Sequence, residues 1–293
     1  MRRASFVAIA ALLCSMPATL AAHPGTGIVI DRDGNVYFVD MVSGVWKTDR
    51  RGALAHLAGP GFHWLALDEN NALGAVTLPR GATGDIVRLN DSSRLLLSSD
   101  VPIAIGPDGS LYYPSRGTPL QILRVRPSGE TVVVATLPAR SGTAALRDLN
   151  GVAVGSDGTV YYTENAAVRR IDSGGGVSTV AQNISPAKCA LVQGIERRDQ
   201  PLLRGLAVDA AGTVYVAATG CGSALKVTAT GQVTTLFQGE AEWSPTGVAL
   251  FGNNVYVLEF LGAGSDDRRA MVPRVREIAA NGKTRIIAMA KRQ

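Results

Sequence analysis

Val152-Ala153-Val154-Gly155-Ser156-Asp157-Gly158-Thr159-Val160-Tyr161 is the stretch that decides the fold. A short apolar strand runs into an Asp-Gly turn, and an alternating strand carrying a tyrosine comes out of it. Asp-Gly supplies the positive backbone angles that a tight hairpin needs. The same shape stands at Ile103–Tyr112, at Leu206–Tyr215, and at Val248–Tyr256 with Asn253-Asn254 at the turn. It also stands at Gly27–Asp40, and its most degraded copy is Leu65–Asn71. A third strand follows each pair, as in Ile122-Leu123-Arg124-Val125. A second tight turn, Arg126-Pro127-Ser128-Gly129, then leads to a fourth strand, Thr131-Val132-Val133-Val134. Four short antiparallel strands repeating at about 40 residues are the signature of propeller blades. Six copies predict an all-β chain, a six-bladed β-propeller of four-stranded antiparallel blades. An open sandwich gives no reason for six copies, and no stretch has helical periodicity.

Ahead of the first copy, Met1-Arg2-Arg3 leads into an apolar run from Ala4 to Leu13, then Pro17 and Ala18-Thr19-Leu20-Ala21-Ala22. These are the three parts of a secretory signal peptide. The run is too short to span a bilayer as a helix. Residues 1–22 are therefore expected to be a removed leader, and 23–293 one propeller domain that is exported to the periplasm or outside the cell. Taking Arg2 and Arg3 from the 29 basic residues leaves 27 against 24 acidic ones. The arginine pairs, such as Arg50-Arg51 and Arg169-Arg170, are scattered, whereas nucleic-acid binding wants a clustered stripe. No nucleic acid partner is expected. No second long apolar segment implies a transmembrane span once the leader is gone, and a monomer is expected. Two cysteines remain, Cys189 and Cys221, and an even count in an exported chain favours a disulfide.

In a four-stranded meander the loops alternate between the two faces of the disc. The turns between strands one and two, and three and four, are uniformly minimal. Length gathers on the other face, at Leu78–Gly84, Ser115–Leu120, Pro138–Leu149, Asn183–Leu202 and Leu261–Pro273. Long loops on one face of a rigid scaffold are where binding residues collect. Both cysteines belong to that face, where a bridge would pin the longest loop.

The innermost strands enter from the same face. One equivalent position per blade gives a ring of Thr26, His63, Val101, Asn150, Arg204 and Thr246. The ends of the second strands give another, Asp40, Thr77, Ser115, Glu164, Ala218 and Glu259. Polar groups converging on a channel mouth suit a small-molecule site. Arg204 fits an anionic group, with His63, Trp64 and Asn150 shaping the pocket and Thr26, Asp40, Glu164 and Glu259 lining it. If the site is catalytic, His63 or Glu164 would be the base and Arg204 would stabilise an oxyanion. Arg204 and Glu164 could equally serve only to satisfy each other. His23, near the expected new N-terminus, and His56, in an outer strand, are not expected to join the ring. Nucleophile-elbow, zinc-protease, Cys-x-x-Cys and phosphate-loop motifs are all missing from the sequence. Asp31-x-Asp33-Gly34 lacks the remaining positions of a calcium loop and reads as a hairpin turn.

The recurring Gly-apolar-Ala-apolar-x-x-x-Gly-x-Val-Tyr resembles the NHL repeat. The whole span after the leader resembles six-bladed propellers of the NHL and senescence-marker/gluconolactonase-like group. That resemblance implies hydrolysis of lactones and related esters, with a divalent metal held at the channel mouth by Glu, two Asn and Asp. Leu149-Asn150-Gly151 matches one Asn site. Thr26 stands where the Glu would be, Val101 where the other Asn would be, and Arg204 where the Asp would be. Arg204 adds like charge without a donor oxygen, so no metal cofactor is expected. Two readings stay open. One is a module binding a small molecule, glycan or protein partner on the long-loop face. The other is a lactonase- or esterase-like hydrolase or lyase with a degraded metal site.

Overall fold

A computed structural model describes residues 23–59, 61–78, 84–138, 149–186, 188–189, 192, 195 and 201–290. The expected leader and most of the loops expected at 78–84, 138–149 and 183–202 lie outside the described residues. Among the described residues no helix is long and apolar enough to cross a membrane.

The Asp-Gly turns form as their chemistry demands. In the fourth unit Asp157 accepts from the Thr159 amide at 3.0 Å, and Gly158 sits at φ 82°. The tyrosine of the repeat has a structural use as well. The Tyr37 hydroxyl donates to Asp31 at 2.9 Å, so the exit strand ties back to the turn's own carboxylate.

Each unit folds as its own antiparallel sheet, and the six sheets make a six-bladed propeller. The first holds β1 (Ile28–Ile30), β2 (Val36–Asp40), β3 (Gly44–Thr48) and β4 (Leu54–Ala58). The second holds β5 (Trp64–Asp68), β6 (Asp85–Arg88) and β7 (Arg94–Ser98). The third is β8 (Ala104–Ile105), β9 (Leu111–Pro114), β10 (Gln121–Val125) and β11 (Thr131–Thr136). The fourth is β12 (Leu149–Val154), β13 (Val160–Glu164), β14 (Ala167–Ile171) and β15 (Val177–Ala181). The fifth is β16 (Leu203–Val208), β17 (Val214–Ala218), β18 (Ser223–Val227) and β19 (Val233–Gln238). The sixth is β20 (Trp243–Phe251), β21 (Asn254–Leu261), β22 (Val272–Ile278) and β23 (Thr284–Met289).

The most degraded repeat departs from the pattern. Its sheet has three strands among the described residues, in the order β5-β7-β6, and β5 pairs directly with β7 from Trp64↔Ser98 to Asp68↔Arg94. Residues 69–75 form consecutive turns, where Asn70-Asn71-Ala72-Leu73-Gly74-Ala75 offers no apolar/polar alternation for a strand. Buried Asp68 anchors the turns by accepting from the Ala72 amide at 2.7 Å and from Arg94 at 3.1 Å. Ser98, and not the expected Thr77, therefore ends the strand beside β5.

Adjacent sheets meet at the axis through backbone. The amides of Thr26 and Gly27 both donate to the His63 carbonyl, at 2.7 and 2.9 Å. A Cβ on Gly205 would lie 2.8 Å from the Gly247 Cα, and one on Gly247 would lie 2.2 Å from the Thr26 oxygen. The recurring glycine is thus explained by close approach, with no side chain able to fit. Among the described residues the first and last sheets share no strand. They close on that Gly247–Thr26 contact and on an apolar cluster joining Phe38, Leu97 and Phe260. Gly247→Ala is expected to lower stability by about 1–3 kcal/mol through overpacking. Gly117→Ala, whose nearest contact would be 4.0 Å away, should leave the melting temperature unchanged.

Cys189 and Cys221 are disulfide-bonded across a separation of 32 residues. The bridge is compatible with the oxidising surroundings of an exported chain. In the chain-entropy account a loop of this length stabilises by about 3–4 kcal/mol. Cys189→Ser/Cys221→Ser is expected to lose that amount in denaturant titration.

Candidate functional site

The channel mouth is built by the chain segments that enter the innermost strands. His63 immediately precedes β5, and its amide donates to the Ser98 carbonyl at 3.0 Å. Its Nδ1 lies 3.0 Å from the Ser99 carbonyl. A carbonyl can only accept, so Nδ1 carries the proton and Nε2 keeps its lone pair. That Nε2 is buried and has no hydrogen-bond partner among the described residues.

His23 stacks on His63 with ring centroids 4.1 Å apart and planes at 28°. This corrects the expectation that His23 stands away from the ring. The segment 23–27 runs directly into β1, and the first blade's position beside the last brings it over Arg204 of β16. Arg204 donates through Nη1 to His23 Nδ1 at 3.3 Å and to the Pro24 carbonyl at 3.2 Å. The guanidinium is buried at 8% exposure, and its Nε–H has no partner among the described residues. His56 stays in the outer strand β4, stacked at a tilt against Trp46.

Trp64 completes the cluster. Its ring centroid lies 5.3 Å from that of His63 and 6.4 Å from that of His23. Its Nε1–H donates to the Asn150 carbonyl at 3.0 Å, and the Asn150 amide reaches the Leu203 carbonyl at 3.3 Å. The structure thus brings together His63, Trp64, Asn150 and Arg204, with buried Thr26 beside Gly205. Val101 is buried and apolar.

The acidic residues expected to line the site are engaged within their own blades. Asp40 accepts from the Val42 amide at 2.9 Å and the Ser43 hydroxyl at 2.8 Å, capping the β2–β3 turn. Glu164 pairs with Arg169 at 3.1 Å. Glu259 is fully buried between Arg274 at 2.9 Å and Arg276 at 3.0 Å.

Electrostatics keep both imidazoles neutral. Burial first, then the Arg204 guanidinium and the His63 ring, push His23 down to about 3. Burial first, with Arg268 and Arg204 adding to it, pushes His63 down to about 4. Burial also pushes Arg204 down to about 10, which leaves it charged at neutral pH. The mouth therefore presents a neutral base and a buried cation side by side, in surroundings that strengthen their fields.

The donor set does not fit the divalent metal implied by the gluconolactonase-like resemblance. Arg204 occupies the position of the required Asp, Val101 offers no donor, and Thr26 lacks a carboxylate. Among the described residues no three His, Cys, Asp or Glu side chains gather as a cation cage.

No protein-family model matches the chain, and no curated protein matches its sequence. Solved structures match in fold. Virginiamycin B lyase from Staphylococcus aureus superposes with a TM-score of 0.51 at 14% identity, over 90% of this chain and 84% of that one. A gluconolactonase from Xanthomonas campestris gives 0.54 at 13% identity, over 80% and 83%. A luciferin-regenerating enzyme gives 0.54 at 15% identity, over 88% and 93%. At these identities the likeness is one of architecture.

Proposed function

We propose that the protein is an exported, monomeric, metal-independent enzyme that opens a lactone at the channel mouth, with His63 as general base and Arg204 as the partner of the carbonyl oxygen. One observation carries the reading: among the described residues a buried imidazole lone pair has no donor, and in the same cluster a buried guanidinium N–H has no acceptor. Neighbouring, desolvated complementary groups are what a reacting carbonyl needs. The names of the fold neighbours, a lyase and a gluconolactonase, are consistent with it.

His63 Nε2 takes a proton either from a water that bonds to the lactone carbonyl carbon, so that the acyl C–O bond breaks, or, where a second carbonyl lies beta to the ring oxygen, from the carbon between them that adjoins that carbonyl, so that the alkyl C–O bond breaks. The negative charge that develops on the carbonyl oxygen accepts from Arg204 Nε–H. The protonated His63 then returns its proton to the departing ester oxygen. Trp64 supplies a flat wall for the substrate, and Asn150 holds that wall through its carbonyl. The carboxylates of Asp40, Glu164 and Glu259 keep their own blades in register.

The test is incubation of the purified chain with a panel of γ-, δ- and macrocyclic lactones, followed by mass spectrometry. A product heavier by one water indicates hydrolysis, and an opened isomer of unchanged mass indicates elimination. Saturable binding of a lactone with no product under any condition would overturn the catalytic reading and leave a binding module. Arg204→Lys keeps the charge but loses the fixed fork, and is expected to lower turnover by about 100-fold or more. N-terminal sequencing of the exported chain tests the leader, with Ala22 or His23 expected as the first residue.

A further inference from the structure

A second polar cluster lies off the axis, where the fifth blade hands the chain to the sixth. A cavity of about 870 Å³ opens there, with Trp243, Leu261, Cys189 and Glu240 among its walls. Its volume lies in the range of small-molecule sites.

Behind the wall residue Glu240 lies a charged cluster supplied by β21 and β22. Arg274 lies directly across from Glu259 on the paired strand, and Arg276 lies two residues further on the same side. Glu259 accepts from Arg274 Nε at 2.9 Å, from Arg274 Nη2 at 3.4 Å and from Arg276 Nε at 3.0 Å. Two guanidiniums against one buried carboxylate leave a positive charge over. Glu240, in the loop before β20, balances it. One of its oxygens takes Arg274 Nη1 at 3.1 Å, and the other takes Arg276 Nη2 at 2.7 Å.

The burial of these partners is lopsided. The arginine side chains are 5% and 7% exposed, while that of Glu240 is 59% exposed. The Arg274 Cζ lies 3.7 Å from the Trp243 ring centroid and that of Arg276 4.6 Å from the Phe237 centroid, so both forks are held in place by packing. An exposed carboxylate on a flexible three-bond stem thus occupies a rigid, buried, two-armed anion seat at the edge of a cavity. The loop that carries it also holds Glu242 at φ 73°, a left-handed conformation unfavourable for glutamate.

We propose that this cavity is a binding site for an organic monocarboxylate, and that Glu240 is the seat's own competing occupant. The ligand's carboxylate takes the two N–H groups that Glu240 holds, Glu240 swings into solvent, and the ligand's flat or apolar body lies along Trp243. A carboxylate is favoured over a phosphate because the seat offers one N–H from each arginine, matched to two oxygens in one plane, as Glu240 itself demonstrates. The site shares no residue with the channel mouth, so it stands or falls independently of the lactone reading.

The variant that tests it is Glu240→Ala, which leaves the Glu259 pairing intact and alters an exposed side chain. Benzoate is the probe, followed by calorimetry and by quenching of Trp243 fluorescence, with Trp243→Phe assigning the signal among the three tryptophans. Benzoate is expected to bind Glu240→Ala at least tenfold tighter than the parent chain, and benzyl alcohol is expected not to bind. Glu240→Ala/Arg276→Gln should lose the gain, with circular dichroism checking that the double variant is folded. An unchanged benzoate affinity in folded Glu240→Ala, with only a lowered melting temperature, would show Glu240 to be a structural cap and overturn the proposal. Phenyl phosphate binding as tightly as benzoate would overturn the carboxylate assignment.

Discussion

His63→Gln is expected to cut lactone opening by two to four orders of magnitude while leaving substrate binding within a few-fold of the parent. Glutamine spans a similar length and its amide can still donate to the Ser99 carbonyl, so the fold around the mouth is kept. What it lacks is the basic lone pair of Nε2, which in the parent has no partner among the described residues. Loss of a positioned general base costs about 10²–10⁴ in rate. The pH profile gives an independent readout. His63 must be neutral to act, and burial has moved its pKa from 6.5 down to about 4. Turnover per folded molecule, with the folded fraction at each pH measured by circular dichroism, should therefore rise as pH passes upward through about 4 and be flat by pH 6.5. A free histidine would place that rise near 6.5. A His63→Gln variant retaining parental turnover would remove His63 from the reaction, whatever happened to the pH profile.

The second large effect is acid sensitivity of the fold. His23 and His63 are neutral in the folded chain down to about pH 3 and 4, but each takes up a proton near pH 6.5 once unfolded. Between those values the unfolded state holds more protons, so stability rises with pH and is lost as pH falls below 6.5. Each ring contributes on the order of 3 kcal/mol of loss by pH 4, because pH 4 lies about 2.5 below the unfolded value of 6.5 and each pH unit over which only the unfolded state is protonated costs about 1.36 kcal/mol. The stacked pair thus destabilises the acidified protein by an amount comparable to the whole stability of many domains. Chemical denaturation at pH 7, 5.5 and 4.5 should show a steep fall in the parent and a flatter one in His23→Gln/His63→Gln. Parallel curves for the two proteins would mean that the rings are solvated in the folded state.

The blades were legible in the sequence because their information is local. Asp157-Gly158 forms a tight turn wherever it stands, and alternation beside it forms a strand. The axial ring was legible for a related reason. The residue before each glycine was singled out by alignment of the copies, and the close approach at Gly151, Gly205 and Gly247 shows why that landmark recurs. His23 was missed because its neighbours, His63 and Arg204, become adjacent only when the ring closes, and no local pattern encodes closure. The departure of the degraded blade, which has three strands among the described residues, had a visible signal, the run Asn70–Ala75 without alternation, but counting copies assigned it a strand. Glu259 was read as a lining residue from its place at a strand end. The sign of its other use was Arg274-x-Arg276, two arginines on one face of the next strand, opposite a lone acid.

Because the ring closes by packing, with no strand among the described residues shared between its first and last sheets, each blade is encoded by one unbroken stretch of about 40 residues. The seam from Gly247 to Thr26 has the same backbone-on-glycine character as the joint from Gly205 to Gly247. A gene that duplicated or lost one such stretch would add or remove a whole blade and meet a compatible edge on either side. The architecture is therefore modular at the level of heredity: its number of blades can change by integral steps, while a chain closed by a strand borrowed from its far end would have to rebuild its clasp each time.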